Sequence, residues 1–451
     1  MLSASLLALW NTKNHLPEGL ITSSTKNAKN PDHDAGNICI YFRSSSAIPA
    51  TLRVSRFVFA WIFHLPLKLT SFRLGITIET YAPGEEHMDL TELIKEKIKS
   101  EGPISFHDFM EESLYHPGSG YYSSTGVKIG MRGDYYTSPF LTPVFGKLIG
   151  KQLEEMWILL NKKPFTIVEY GAGTGILCRD ILQYLSLNKK FYQNLRYCII
   201  EKSNSMIELQ KECLGGKVEW VNSIHEISPV NGCILTNEVL DNFAVHQVIK
   251  EDKLMEVYVD YQGEFMEKFL PASPALNEYL HDCNISLPEG HRAEINLEAK
   301  YWIEEVAAAL QEGFVMTMDY GYTAKELCNE SKKSGTVVCY HEHKVNDSPF
   351  TNIGEQDITA HVNFSCLRQY GSANGLEYGG FTDQAAFLMG AGIMECIRII
   401  EKENDESGAK KIFLIRKLLL DLGKKIKILL QYKGIAKPAL SGFQFASLAC
   451  C

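Results

Sequence analysis

No Cys-x-x-Cys pair occurs among the twelve cysteines of this 451-residue chain, which excludes the common zinc fingers; with no convincing secretory signal either, no disulfide framework is indicated and a reducing compartment fits. No apolar run reaches the roughly 18–20 residues needed to cross a bilayer. The nearest, Phe57 to Leu69, is short and interrupted by His64, Pro66 and Lys68, so stable membrane insertion is not expected. An excess of positive charge is missing too: 45 Lys and Arg against 54 Asp and Glu leave a net charge of −9, which argues against broad capture of nucleic acid or anionic lipid. No Gly-x-Ser-x-Gly string is present, so a serine nucleophile elbow is unsupported. With 45% apolar and 22% charged residues the composition is that of a folding globular chain.

Residues 1–87 are Ser- and Asn-rich, lack a sustained helical or strand period, and end in the turn-forming run Ala82-Pro83-Gly84-Glu85-Glu86-His87. Three readings compete: an upstream extension with Met88 as the true start, an organelle presequence, or a disordered tail. Asp32, Asp34 and Glu18 weigh against the presequence, because such peptides are poor in acids. Patterned structure is expected from Met88, where Leu90, Leu93, Ile94 and Ile98 recur at helical spacing behind Asp89 and Glu92. The division expected is an extension over 1–87, a helical portion and lid over 88–164, a core over 165–325 with an inserted lobe at 255–297, and elements completing sheet and cleft over 326–447.

From Phe165 onward, buried strands alternate with amphipathic helices. Strands are predicted at Phe165 to Tyr170, Arg196 to Glu201, Val218 to Val221, Gly232 to Thr236 and Gly313 to Asp319; helices at Ile176 to Leu187 and Ser205 to Leu214. This rhythm predicts an α/β fold whose parallel sheet is covered on both faces, with ligands at the carboxyl ends of the strands. The first strand enters its helix through Glu169-Tyr170-Gly171-Ala172-Gly173-Thr174-Gly175-Ile176. A nicotinamide fingerprint, counted from Gly171 and Gly173, needs its third glycine where Ile176 stands. The acid two places before Gly171 matches instead the acidic-x-Gly-x-Gly-x-Gly loop of class I S-adenosylmethionine-dependent methyltransferases. Glu201, closing the second strand, is placed to accept hydrogen bonds from ribose hydroxyls.

Further strings accompany this loop: Gly102-Pro103-Ile104-Ser105-Phe106, Tyr115-His116-Pro117 with Gly120-Tyr121-Tyr122, Gly133 to Pro139, Asn237 to Phe243, Asp319-Tyr320-Gly321-Tyr322 and Gly354 to Phe364. Together they resemble the MidA family of methyltransferases, which includes a mitochondrial complex I assembly methyltransferase and many bacterial members. The resemblance runs from about Leu90 to Phe445. It implies a Rossmann-like class I methyltransferase sheet with a helical amino-terminal portion and inserted and carboxyl-terminal elements that build an acceptor cleft. It also implies S-adenosyl-L-methionine as cofactor and, by kinship with the mitochondrial member, an arginine of a complex I subunit as acceptor. The family's Asn-Glu-Leu-Phe-Asp-Ala-Leu-Pro stands here as Asn237 to Ala244, with Asn237, Glu238 and Asp241 kept and the intervening residues changed.

The site expected on these grounds has Glu169, Gly171, Gly173, Gly175, Glu201 and Asn237 on the cofactor, and Glu238, Asp241 and Asp319 in catalysis. A guanidinium acceptor must be gripped by carboxylates, and Glu238 and Asp241, three apart, share one side if their segment is helical. The other reading makes Asp241 a helix cap and Glu238 a solvated rim acid. Tyr320 is expected across the cleft, and Tyr136 with Tyr135, Thr137 and Ser138 in a lid that excludes water. Glu355, Asp357 and His361 either shape the acceptor side or satisfy buried polar groups. His341, His343 and His361 invite a metal reading, but methyl transfer gives a metal no task, and none is expected. The lysines from Lys410 to Lys427 read as a solvated face. Two other functions stay open, a different acceptor and a cofactor-binding assembly chaperone; the compartment expected is a bacterial-type cytoplasm or, alternatively, the mitochondrial matrix.

Overall fold

The computed structural model describes residues 38–42, 50–54, 89–124, 137–402 and 405–446. The chain divides into two units, Met1–His87 and Met88–Cys451. In the first, strands Ile38–Phe42 and Ala50–Val54 pair antiparallel, with Ile38 opposite Val54. No strand period is evident there in the sequence, yet both segments hold the β-branched and aromatic residues that pleated backbone favours. The stretch Phe57 to Leu69 lies outside the described residues. Among the described residues no helix is long and apolar enough to cross a membrane.

The second unit begins with helices α1 (Leu90–Glu101) and α2 (Phe106–Tyr115). The Asp89 carboxylate accepts from the Thr91 N–H at 3.2 Å and caps α1, which buries Leu90, Ile94 and Ile98, the apolar stripe legible in its spacing. Helix α3 (Pro143–Leu159) leads into an alternating run: β1 (Phe165–Tyr170), α4 (Ile176–Leu185), β2 (Leu195–Ile200), α5 (Asn204–Cys213), β3 (Val218–Val221) and β4 (Val230–Asn237). Strands β5 (His246–Lys250), β6 (Leu254–Tyr261), β7 (Phe265–Pro271) and β8 (Arg292–Ile295) then form a second, antiparallel sheet in the order β7-β6-β5-β8. Ile104–Ser105 pairs with β6 in this sheet. Residues 255–297, expected as an inserted lobe, fall in this sheet and in helix α6 (Pro274–Asp282) together with β5.

Helix α7 (Leu297–Ala309) returns the chain to the main sheet as β9 (Leu310–Tyr322). There follow β10 (Val338–His341) and β11 (Asp357–Thr359), antiparallel neighbours, then α8 (Phe364–Ala373), β12 (Glu377–Asp383), α9 (Gln384–Ala391), α10 (Glu406–Leu420) and β13 (Ile426–Lys433). The main sheet runs β12-β13-β9-β4-β1-β2-β3. From β9 to β3 all neighbours are parallel, whereas β13 enters antiparallel between β9 and β12.

Both faces of this sheet are covered, as near-continuous apolar strands require. Ile167, Ile199 and Leu235 pack with Phe145 of α3 and Ile181 of α4. Their neighbours Val168, Cys198 and Ile234 point the other way, toward Trp302, Ile303 and Val306 of α7. Cys283, after α6, and Cys366, in α8, are joined with Cα atoms 5.3 Å apart. That cross-link departs from the free-thiol expectation, because 83 residues separate the two cysteines and only the packing of α6 by α8 brings them together.

Gly232 and Gly313 lie opposite each other on β4 and β9 with φ of +149° and +143°. A Cβ on Gly313 would fall on the Gly232 carbonyl oxygen, and one on Gly232 on the Thr166 carbonyl, so neither strand can yield without parting the sheet. Gly313→Ala is expected to cost about 2–4 kcal/mol, read as a lower urea midpoint at unchanged slope.

Candidate active site

The chain reverses direction across the sheet between β1 and β4, the place where an α/β sheet opens a crevice at its strand ends. Gly171, Gly173 and Gly175 follow β1 with φ of +60°, +53° and +79°, a conformation that residues with a Cβ adopt at a cost. Gly171 donates its N–H to the Ile200 carbonyl at 2.9 Å, and a Cβ there would meet Val239 at 2.9 Å. Above the loop opens a cleft lined by Glu169, Gly171, Gly173, Thr174, Asn237 and Glu238 together with Thr137, Pro139 and Phe140.

Glu201, one residue past β2, accepts from the Ser203 N–H and from Gln210 Nε2, each at 3.0 Å. Burial raises its carboxyl against those bonds. Gln210 also donates to the Gly173 carbonyl at 2.8 Å and accepts from Trp220 Nε1 at 2.9 Å, so one fully buried amide fastens the glycine loop to the acid. Sequence reading passed over Gln210; its signal was a lone polar side chain on the apolar stripe of α5, beside Met206. Glu169 is 2% exposed, accepts from the Tyr197 hydroxyl at 2.7 Å, and is pushed by burial up to about 7. Thr174 Oγ1 and Asn237 Oδ1 are buried without a partner among the described residues. Open glycine backbone, a carboxylate and unpaired polar atoms suit a nucleoside-bearing cofactor whose polar groups complete these bonds.

Beyond the cleft floor lies a group of acids. Glu238 follows β4 with φ of +55° and gives its N–H to the Met318 carbonyl at 2.8 Å. Its Oε1 accepts from the Ser138 N–H and from Asn237 Nδ2, both at 3.1 Å. Burial first, and the Asp319 charge next, push its carboxyl up to about 8. A non-glycine residue held in left-handed backbone is strain that the surroundings must enforce. Asp241 sits in a single turn of 3-10 helix, Leu240–Asn242, so it shares no helix with Glu238. The segment departs from the expected helix because Asp319 captures its amides: Oδ2 accepts from the Val239 and Leu240 N–H groups at 3.1 and 2.8 Å, while Oδ1 accepts from Tyr320 N–H at 2.8 Å.

Asp319 is fully buried, and burial raises it to about 6 even against these bonds. Asp241 is buried with Oδ1 unpaired among the described residues, and its carboxyl is raised well above the ordinary value by burial and by Asp319, Asp357 and Glu238. Asp357 accepts from the Tyr122 hydroxyl and from Asn242 Nδ2, each at 2.9 Å. Tyr320 stands beside the same group, its hydroxyl raised by burial and by Glu238 and Asp241. Glu355 is exposed, and its carbonyl accepts from His341 Nδ1 at 3.0 Å. His361 keeps a buried Nδ1, unpaired among the described residues, and meets the Tyr322 ring edge-on at 5.1 Å; burial, with Lys332 nearby, lowers it to about 4 and leaves it neutral. Tyr136 and Tyr135 lie outside the described residues, whereas Thr137 lines the cleft and Ser138 is buried behind it, its N–H on Glu238. His343 is in the turn after β10, and among the described residues no group of three or more His, Cys, Asp or Glu is gathered to hold a metal.

Residues 148–382 match the model of a family described as "Putative S-adenosyl-L-methionine-dependent methyltransferase". The human protein arginine methyltransferase NDUFAF7, mitochondrial, is 27% identical over 352 residues, covering 70% of this chain and 76% of its own. The mitochondrial homologue from Drosophila melanogaster is also 27% identical and covers 67% and 74%. Among solved structures, one from Burkholderia thailandensis bound to S-adenosyl-homocysteine is similar with a TM-score of 0.73 and 29% identity, over 79% of this chain and 95% of its own. A native structure of a protein from the same organism gives 0.71 and 28%. These likenesses agree with the class I methyltransferase fold and the cofactor expected from the glycine loop.

Gly173→Val adds a branched side chain at φ of +53° on the cleft wall. Calorimetry with S-adenosylmethionine is expected to show no binding; retained affinity would take the loop out of the cofactor site.

Proposed function

This chain belongs to that S-adenosyl-L-methionine-dependent methyltransferase family, and we propose that it methylates an arginine side chain of a partner protein. The observation that carries the acceptor assignment is the acid group: Asp241 lies within the fields of Asp319, Asp357 and Glu238, and the carboxyls of Glu238, Asp241 and Asp319 are raised. Buried carboxylates repel, and a guanidinium offsets that cost while its planar fork fixes which nitrogen faces the cleft. The names of the mitochondrial relatives support arginine as the acceptor, and with it a protein substrate in the mitochondrion. A complex I subunit is the acceptor that kinship suggests.

When bound, S-adenosylmethionine supplies an electrophilic methyl group. This chain's part is to hold the acceptor nitrogen in line, exclude water and accept a proton. Glu238 and Asp241 grip the guanidinium. The acceptor nitrogen sheds one proton as it gains the methyl, and Glu238, titrating near 8, is matched to take it. Asp319 acts at one remove by bonding the amides of Val239 and Leu240. Gly171, Gly173, Gly175, Glu169, Glu201 and Asn237 serve the cofactor side; Tyr320, Asp357 and His361 bound the acceptor side.

Incubation with tritiated S-adenosylmethionine and mitochondrial lysate tests the reading. Label in arginine of one protein band is expected; label in a small molecule, or cofactor binding without transfer, would overturn it. Glu238→Gln is expected to keep cofactor affinity and lower transfer by about 100-fold. Because the working form is the carboxylate and its titration is raised to about 8, the wild-type rate at limiting substrate should climb from pH 7 to 9, and the variant should lose that limb.

A further inference from the structure

Two side chains far from each other in sequence, Ser138 and Gln384, are both fully buried and bonded to each other: the Ser138 hydroxyl donates to Gln384 Oε1 at 2.9 Å. Gln384 opens α9, where Asp383 caps the helix through the Ala386 N–H, and its Nε2 donates to the Leu418 carbonyl of α10 at 3.4 Å. Ser138 opens the short helix Ser138–Leu141, whose preceding residue Thr137 makes no side-chain cap bond. The Ser138 N–H goes instead to Glu238 Oε1 at 3.1 Å. Both hydrogen bonds received by the Glu238 carboxylate, from Ser138 and Asn237, land on Oε1; Oε2 takes none among the described residues.

A hydroxyl and an amide in an apolar interior cost free energy unless paired, and an apolar couple would fill the same space without that risk. What the hydrogen bond adds is direction. It fixes Ser138 from behind, against α9 and α10, while Thr137, Pro139 and Phe140 on either side of it border the cleft. We propose that Ser138 and Gln384 are positioning residues for Glu238: the buried pair anchors the turn so that its first amide pins one carboxylate oxygen and leaves the other for the acceptor. This rests on Glu238 facing the acceptor, as proposed above.

The test uses the full chain with Ser138→Ala, Gln384→Leu and Ser138→Thr. Glu238 faces Asp319 and Tyr320 of β9, Tyr340 of β10, and Asp241 and Asn237 beside it, none of which the substitutions alter. Its titration is followed by NMR on protein labelled with carbon-13 at the glutamate carboxyl, the signal being the one missing from Glu238→Gln. Loss of the amide bond removes a stabiliser of the charged form, so the midpoint should move upward by about half a pH unit in Ser138→Ala and Gln384→Leu. Transfer from tritiated S-adenosylmethionine should fall about tenfold, and Ser138→Thr, which keeps a hydroxyl, should recover both. Affinity for S-adenosyl-homocysteine should stay within about twofold of wild type. A folded Ser138→Ala with an unmoved Glu238 midpoint overturns the proposal, and that variant decides the matter if Gln384→Leu fails to fold. A moved midpoint in an enzyme whose Glu238→Gln form still transfers at the wild-type rate supports the pin and removes Glu238 from the acceptor role.

Discussion

The bonds from the Val239 and Leu240 amides to the buried Asp319 carboxylate set the spacing of everything at the strand ends. They tie the turn after β4 to the end of β9, the two strands being parallel neighbours. Val239, held there, closes over Gly171 so tightly that a methyl group on the glycine would be crowded. Leu240 and Asp241 follow directly, so one carboxylate governs both the roof of the glycine loop and the start of the acid group. A charged group in such a place is costly, and it persists because three backbone amides surround it. The left-handed backbone of Glu238 is the visible strain of the same arrangement.

Much of this architecture was legible in the sequence. Phe165 to Tyr170 and Val218 to Val221 are strands with the bounds their apolar runs suggested, because a strand buried on both faces announces itself locally. The glycine loop and Glu201 were equally plain, since positive φ and a strand-end acid are properties of single positions. What escaped was non-local. His246–Lys250 reads His-Gln-Val-Ile-Lys without alternation, and nothing in it tells which sheet it joins. Gln210 and Gln384 are common polar residues, and Ser138 was expected in a lid, yet the bonds that define them include partners 37 and 246 residues away. Asp319 was expected at the chemistry, yet its oxygens are turned to backbone amides, a distinction that spacing cannot reveal.

The acids also show how the fold divides its stability. The sheet core is apolar on both faces, while the strand ends collect Glu169, Glu238, Asp241 and Asp319, whose carboxyls burial raises, with Asp357 beside them. Groups of this kind weaken a free protein and are steadied by ligands that bring positive charge. The sulfonium of S-adenosylmethionine is such a cation.

The position of β13 carries a consequence for how the molecule is made. This strand belongs to the last part of the chain, yet it lies between β9 and β12, and Lys427 is the register partner of Asp319. Before β13 is in place, β9 is therefore bare from Gly313 to Tyr320 along one edge, and β12 has no strand partner among the described residues. Pairing of β13 is thus the event that seals the sheet beside Asp319, and before it the sheet has an open edge that other strands can join.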